Sequence, residues 1–284
     1  MTMKTITRSS ELRLVVDELN AKGQRIGFVP TMGALHEGHL SLVRIAKEKA
    51  DVVIGSIFVN PTQFGPNEDL ARYPRNLEHD SALLSELGMD YLFAPPREEI
   101  YPPGFKTYVN VEELDRKLEG ASRPGHFRGV ATVLSVLFNL VRPRFVVMGQ
   151  KDAQQIIVVK QMVRDLQMPL EIIVAPIARE SDGLALSSRN SYLSADERRA
   201  APVLFKALKL AESAFKDGER EAKKLIALVR NEIEKEPLAK IDYIALTEAE
   251  ELEPIELIDQ RQALLSLAVR FGTTRLIDNI LLQP

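Results

Sequence analysis

Five segments, "RIGFVP" (25–30), "DVVIGSIFV" (51–59), "MDYLFAP" (89–95), "RFVVMG" (144–149) and "EIIVAPI" (171–177), are apolar at nearly every position rather than at every second one. A strand with one wet face alternates. A strand covered on both faces does not, and such strands belong to parallel sheets sandwiched between helices. Amphipathic stretches separate them: "LSLVRIAKEKA", "NLEHDSALLSELG" and "DAQQIIVVKQMVRDLQ". This β-α-β-α rhythm predicts an α/β fold built on a doubly wound, Rossmann-like parallel sheet.

The texture changes after Pro176. "ARESDGLALSSRNSYL" is a polar connector, and "SADERRAAPVLFKALKLAESAFKDG" opens with a capping box, Ser194 and Glu197 standing three apart. A second helical stretch over 219–236 and three strand-like segments, "KIDYIAL", "QALLSLAVRF" and "TRLIDNILL", complete the chain. No helix separates the last strands, so a smaller C-terminal α+β domain with an antiparallel sheet is expected. The boundary is placed in the connector, giving domains of 1–184 and 185–284.

A chain of 284 residues suits one large core or two modest ones. Acidic and basic residues are interleaved around a net charge of −3, with no footprint for nucleic acid or an anionic membrane. The absence of cysteine removes disulfides, thiol catalysis and cysteine-ligated metals, and fits a reducing cytoplasm. The opening "MTMKTITRSSELRL" has no apolar core of a secretory signal. The longest apolar-rich run, Val130 to Val141, is short for a membrane span and carries Thr132, Ser135 and Asn139. A soluble cytoplasmic protein is expected.

Only four histidines occur, and two of them, His36 and His39, sit three apart in "VPTMGALHEGHLSLV" (29–43), where a strand gives way to a helix. Such a junction holds anions, because free N–H groups and the positive helix end face outward and glycine admits close approach. The dinucleotide fingerprint G-x-G-x-x-G is absent. Gly33 and Gly38 have P-loop spacing, but "HL" follows where Lys and Ser/Thr are needed. An H-x-G-H phosphate site remains, with the imidazoles as donors. A metal is the competing chemistry, although i, i+3 departs from the i, i+4 of H-E-x-x-H and a third ligand, His79 or His126, is not suggested by spacing. A polar helix start without a role is the third reading.

Other strand ends add candidates. In "MGQKDAQQ" (148–155), Lys151 suits a phosphate and Asp152 suits either Mg2+ or a helix cap. "ALSSRN" (185–190) offers two hydroxyls and a guanidinium for a triphosphate, or is a solvated loop. In "NPTQFG" (60–65), Asn60 and Gln63 suit a carboxylate or hydroxyl of a small substrate, with turn formation the alternative for Asn60. Arg123, His126 and Arg128 in "SRPGHFRGV" read as an anion site, a subunit contact or a solvated basic loop.

Taken in order, "PTMGALHEGH", "FVNPTQF", "EGASRPGHFRGV", "GQKD" and "DGLALSSRN" closely resemble the pantoate–β-alanine ligase family, from about Ile26 to Asn190, and "RLIDN" (275–279) resembles it too. That family belongs to the H-x-G-H nucleotidylyltransferases. The resemblance implies an ATP- and Mg2+-dependent ligation through pantoyl adenylate, in a homodimer acting on small molecules. It further implies that Met32, Gly33, Ala34, Leu35, His36, Glu37, Gly38 and His39 line the ATP site, with His39 as proton donor and His36 beside it. Gly149, Gln150, Lys151 and Asp152 would also bind ATP, Lys151 on phosphate and Asp152 near the metal. Ala178, Leu186, Ser187, Ser188 and Arg189 would complete the nucleotide contacts. Gln63 and Gln155 would hold pantoate, with Met32 and Phe64 as apolar contacts and Gln63 also near β-alanine. One departure is evident: the family motif reads G-E-K-D, and Gln150 removes that negative charge while keeping the ligands. An adenylyltransferase for another acid, and an ATP-gated binding module, are the alternatives.

Overall fold

The computed structural model describes residues 3–66 and 68–283. It divides into two compact units. The first runs to Gln150 and resumes over Gln154–Pro176, and the second comprises Lys151–Ala153 and the chain from Ile177 onward.

The first unit follows the order β1 (Lys4–Ile6), α1 (Ser9–Ala21), β2 (Ile26–Thr31), α2 (Glu37–Lys49), β3 (Val52–Ile57), α3 (Leu77–Glu86), β4 (Tyr91–Phe93). It continues with α4 (Arg97–Ile100), α5 (Leu118–Ser122), α6 (His126–Val141), β5 (Phe145–Gly149), α7 (Ala153–Asp165) and β6 (Glu171–Ala175). The strands form one sheet in the order β1-β4-β3-β2-β5-β6, parallel at every pairing. The apolar runs are buried as their composition requires: Phe28, Val29, Ile54, Leu92, Phe145 and Val147 are all inaccessible. Alternate residues face opposite layers. Phe28 meets Phe138 of α6 edge-on at 6.3 Å, while Val29 packs with Leu42, Val43 and Ala46 of α2. The edge strand β1, three residues with one buried side chain, leaves no periodic signal in the sequence.

Strand order sets where ligands bind. From β2 the chain moves outward through β3 and β4, whereas β5 lies on the other side of β2. Connections leaving β2 and β5 therefore diverge, and open α/β sheets generally bind ligands at the carboxyl ends of such strands. Thr31 and Gly149 end those two strands.

The second unit contains α8 (Ala195–Ala200), α9 (Val203–Lys216), α10 (Ala222–Ile233) and the antiparallel sheet β7 (Ala239–Glu248), β8 (Ala263–Phe271), β9 (Thr274–Leu282). Leu204, Leu208, Ala211, Leu225 and Val229 of the helices share a core with Leu265, Leu267, Val269 and Leu276 of the strands. Ser194 and Glu197 form the expected capping box. The stretch read as one helix is two, broken at Ala201 and Pro202, since proline cannot donate within a helix. Against the expected boundary at 184/185, the units divide after Pro176. A bridge between Arg179 and Ala185 closes the connector on itself, and an ion pair from Arg179 to Asp278 ties it to β9 of the second unit.

Candidate active site

The turn after β2 is held by side chains from neighbouring elements. Thr31 Oγ1 donates to the Ser56 carbonyl at 2.8 Å and accepts from Gly33 N at 3.3 Å. Gly33 has φ +83° and Ala34 φ +52°. The first conformation suits glycine; the second is strained for a residue with a Cβ. What holds it is Asp80 of α3, buried to 1% exposure. Its two oxygens accept from Ala34 N and Leu35 N, each at 2.9 Å. A Cβ on Gly33 would stand 3.0 Å from Asp80 Oδ2.

The histidines answer their own spacing. His36 is the N-cap of α2 and accepts from Gly38 N through Nδ1 at 3.2 Å. His39 Nδ1 accepts from His36 N at 3.4 Å, so the two form a reciprocal capping box normally made by Ser/Thr and Glu/Gln. Their rings lie 4.1 Å apart. With both Nδ1 atoms accepting, the proton of each neutral ring belongs on Nε2. Arg44 pairs with Glu37 and holds its carboxyl below the usual range. Among the described residues, no three His, Asp or Glu side chains gather as a metal-holding group.

Beyond β3, the turn Pro61–Gln63 places Gln63 in a nearly closed setting. Gln63 Nε2 lies 3.0 Å from Met32 Sδ and its Oε1 accepts from Asn60 Nδ2 at 3.0 Å. Two expected substrate contacts, Met32 and Gln63, are thus brought together. Phe64 stands edge-on to Tyr73 at 5.8 Å. The expectation for Asn60 is corrected. Its amide donates to Gln63 and to the Gly129 carbonyl, and its oxygen accepts from Thr62 and from the Tyr101 hydroxyl at 2.8 Å. Those bonds use both N–H donors, which makes Asn60 the organiser of the turn rather than a substrate ligand. Gly129 is required there, because a Cβ would lie 2.4 Å from the Thr62 carbonyl oxygen.

Arg123 and His126 support the same turn. Glu68 holds Arg123 through two bonds of 2.8 and 2.6 Å. Arg123 Nη1 reaches His126 Nε2 at 3.1 Å, and His126 Nδ1 meets the Gln63 carbonyl at 2.8 Å. Burial, reinforced by the Arg123 charge, lowers His126 to a pKa of about 4. The ring is therefore neutral near pH 7, donating through Nδ1 and accepting through Nε2. The anion-site reading of this pair is corrected, since the guanidinium is already taken by Glu68. Arg128 instead stacks over Tyr108 at 4.0 Å.

Gly149 ends β5 and Gln150 begins the turn Gln150–Asp152. Gln155, half-buried, is the third residue of α7. Its neighbour Gln154 is the buried one, bonding Glu119 N and the Leu114 and Lys117 carbonyls.

In the second unit, Lys151 Nζ lies 3.6 Å from Asp152 Oδ1, and the Asp152 side chain is half exposed. Leu186 N donates to the Ala178 carbonyl at 2.9 Å, which joins two expected nucleotide contacts. Ser187 caps the turn Ser188–Tyr192 by accepting from Arg189 N at 3.2 Å.

Asp80 and Gln154 belong to no motif in the sequence, yet each leaves a signal. Asp80 precedes Leu84 by four on the buried face of α3, and Gln154 begins the buried i, i+4 stripe that continues through Val158 and Met162. A polar residue on an apolar stripe announces an internal partner.

The model of the family described as pantoate-beta-alanine ligase matches residues 4–281. A pantothenate synthetase of Pelotomaculum thermopropionicum is 58% identical over 96% of both chains. One of Herpetosiphon aurantiacus is 52% identical over 99% of this chain and all of its own. The crystal structure of pantothenate synthetase from Thermus thermophilus superposes with a TM-score of 0.93 at 46% identity, covering 99% of this chain and 100% of that one. A Francisella tularensis pantoate-beta-alanine ligase, complexed with beta-gamma ATP and beta-alanine, superposes at 0.81 with 37% identity, covering 98% and 97%. Given a match along almost its whole length, the chain belongs to the pantoate–β-alanine ligase family.

Proposed function

We infer that the protein condenses pantoate with β-alanine using ATP, giving pantothenate, AMP and pyrophosphate. The observation that carries this is the family match across residues 4–281. The paired histidines at the N-terminus of α2, beside the strand-order reversal, are its physical support.

A carboxylate acylates an amine only after its oxygen joins a good leaving group. In the first step the pantoate carboxylate attacks the α-phosphorus of ATP, the bond to the bridging oxygen breaks, and pyrophosphate departs. In the second, the neutral amine of β-alanine attacks the acyl carbon of pantoyl adenylate, AMP leaves, and the amine loses a proton. Most of the catalysis is positioning and charge stabilisation. Residues Met32 to His39 take the triphosphate on the turn and the helix N-terminus, with His36 and His39 donating from Nε2 and His39 as the proton donor. Gly149, Gln150, Lys151 and Asp152, with Ala178, Leu186, Ser187, Ser188 and Arg189, supply further nucleotide contacts, Lys151 to phosphate. Gln63 and Gln155 hold the pantoate carboxylate and hydroxyls, and Met32 and Phe64 face its methyl groups.

Mg2+ keeps several waters and takes one or two carboxylates together with substrate phosphates. A half-exposed Asp152 beside Lys151 fits that donor set. When bound, the ion would neutralise phosphate charge. Family resemblance extends the proposal to a cytoplasmic homodimer acting on small molecules, without nucleic acid or membrane. Among the described residues, no helix is long and apolar enough to cross a membrane.

The test is ATP–pyrophosphate exchange with Mg2+, with and without pantoate, in the absence of β-alanine. Exchange that requires pantoate is expected. A folded, ATP-binding protein that exchanges nothing with pantoate present would refute the reading.

A further inference from the structure

The segment "RLIDN" (275–279) shares in the family resemblance yet takes no part in the chemistry above. It lies on β9, at one edge of the three-stranded sheet, and its last two residues are polar and almost fully buried, Asp278 at 2% exposure and Asn279 at 3%. Burying a carboxylate and an amide is unfavourable unless each is partnered. Asp278 receives Arg179 through parallel bonds of 2.6 and 2.8 Å, and the guanidinium also stacks over Phe205 at 3.9 Å. Arg179 bridges to Ala185, one residue before Leu186. Asn279 turns to a different segment. Its Nδ2 donates to the Lys151 carbonyl at 2.9 Å, a bond spanning 128 positions of the chain. Asp278 Oδ1 additionally accepts from Asn279 N at 2.8 Å, so the carboxylate that fixes Arg179 also fixes the peptide carrying the amide.

We propose that Asn279 is a positioning residue for Lys151 in adenylate formation, acting through the Lys151 carbonyl. The proposal rests on the reading that Lys151 contacts the phosphates of ATP. A lysine ammonium ends a flexible four-carbon stem and finds its place only as well as its backbone is held. Lys151 lies in a short 3-10 turn, whose hydrogen bonding is poorer than that of an α-helix. The carbonyl of that residue is anchored by a side chain from a distant strand, itself immobilised by a buried ion pair. The two segments of the second unit that bear the expected phosphate contacts, 151–152 and 186–189, are thus referenced to adjacent residues of one strand.

The test is a double-mutant cycle read by pantoate-dependent ATP–pyrophosphate exchange in the full-length protein. Wild type is measured first: no exchange there refutes the adenylation reading itself and the proposal with it. With exchange established, Asn279→Ala is expected to lower kcat/KM for ATP about tenfold, the effect of losing one buried hydrogen bond, while KM for pantoate stays within about twofold. In the Lys151→Ala background the same change should have little further effect, because its target is already gone. Asn279→Asp, which cannot donate to the carbonyl, should match Asn279→Ala. Melting curves of each variant control for folding. An unchanged kcat/KM in Asn279→Ala, an effect additive with Lys151→Ala, or equal losses for ATP and pantoate would each overturn the proposal.

Discussion

Replacing Asp80 by asparagine tests whether a buried charge holds the turn in front of the paired imidazoles. The carboxylate accepts from Ala34 N and Leu35 N at 2.9 Å each and is 1% exposed. It sustains Ala34 at φ +52°, a conformation that places a residue with a Cβ about 1–2 kcal/mol above the helical region. A hydrogen bond to a charged acceptor contributes about 1.5–3 kcal/mol. Asparagine keeps one acceptor without the charge and turns an N–H2 group towards the other backbone donor. One bond is lost, one N–H is left buried against a donor, and the surviving bond is weakened. The expected loss is about 2–4 kcal/mol, lowering Tm by roughly 4–12 °C. The loosened turn should also raise KM for ATP about tenfold, with KM for pantoate little changed. Circular-dichroism melts at pH 7 and initial rates of pantoate-dependent exchange measure both. Melting within about 1 °C of wild type would refute the stability argument. A lowered Tm with unaltered ATP kinetics would show that the clamp serves folding alone.

His39→Ala should slow adenylate formation by about 10²–10⁴ through loss of an acid and donor, at a stability cost of about 1 kcal/mol for the broken cap; near-normal exchange would reject its assignment. Gly129→Ala drives a Cβ into the Thr62 backbone, so it should destabilise by about 1–3 kcal/mol and raise KM for pantoate more than KM for ATP, as kinetics with each substrate varied will show. His126 has a pKa depressed from 6.5 to about 4. Above pH 6.5 it is neutral folded or unfolded; as pH falls from 6.5 to about 4 the unfolded chain takes a proton the native site refuses. Up to about 3 kcal/mol of stability is lost across that window and no more below it. His126→Asn, which keeps an N–H near the Nδ1 position, should flatten the dependence of Tm on pH over this range, and an identical slope would sink the argument.

The sequence by itself determined the parallel sheet and the antiparallel tail, and it names candidate residues for the site. Burial on both faces writes continuous apolar runs, and a helix start writes its capping residues, so "RIGFVP" followed by "HEGH" was readable as strand, turn and helix N-terminus. The motifs around it are specific enough to suggest the family, the reaction and the ligands. Only the tertiary structure decided how those residues are held. Asp80 grips a turn 46 positions earlier in the chain, His126 supports the Gln63 carbonyl across 63 positions, and Asn279 reaches back 128 to Lys151. It also decided that Asn60 is spent inside the turn rather than facing a substrate, and that His36 and His39 cap each other. Local patterning records what each residue needs from solvent and from its own helix or strand. A hydrogen bond between distant segments is a property of how the chain comes back on itself, and leaves in the sequence no more than a polar residue where an apolar one was due.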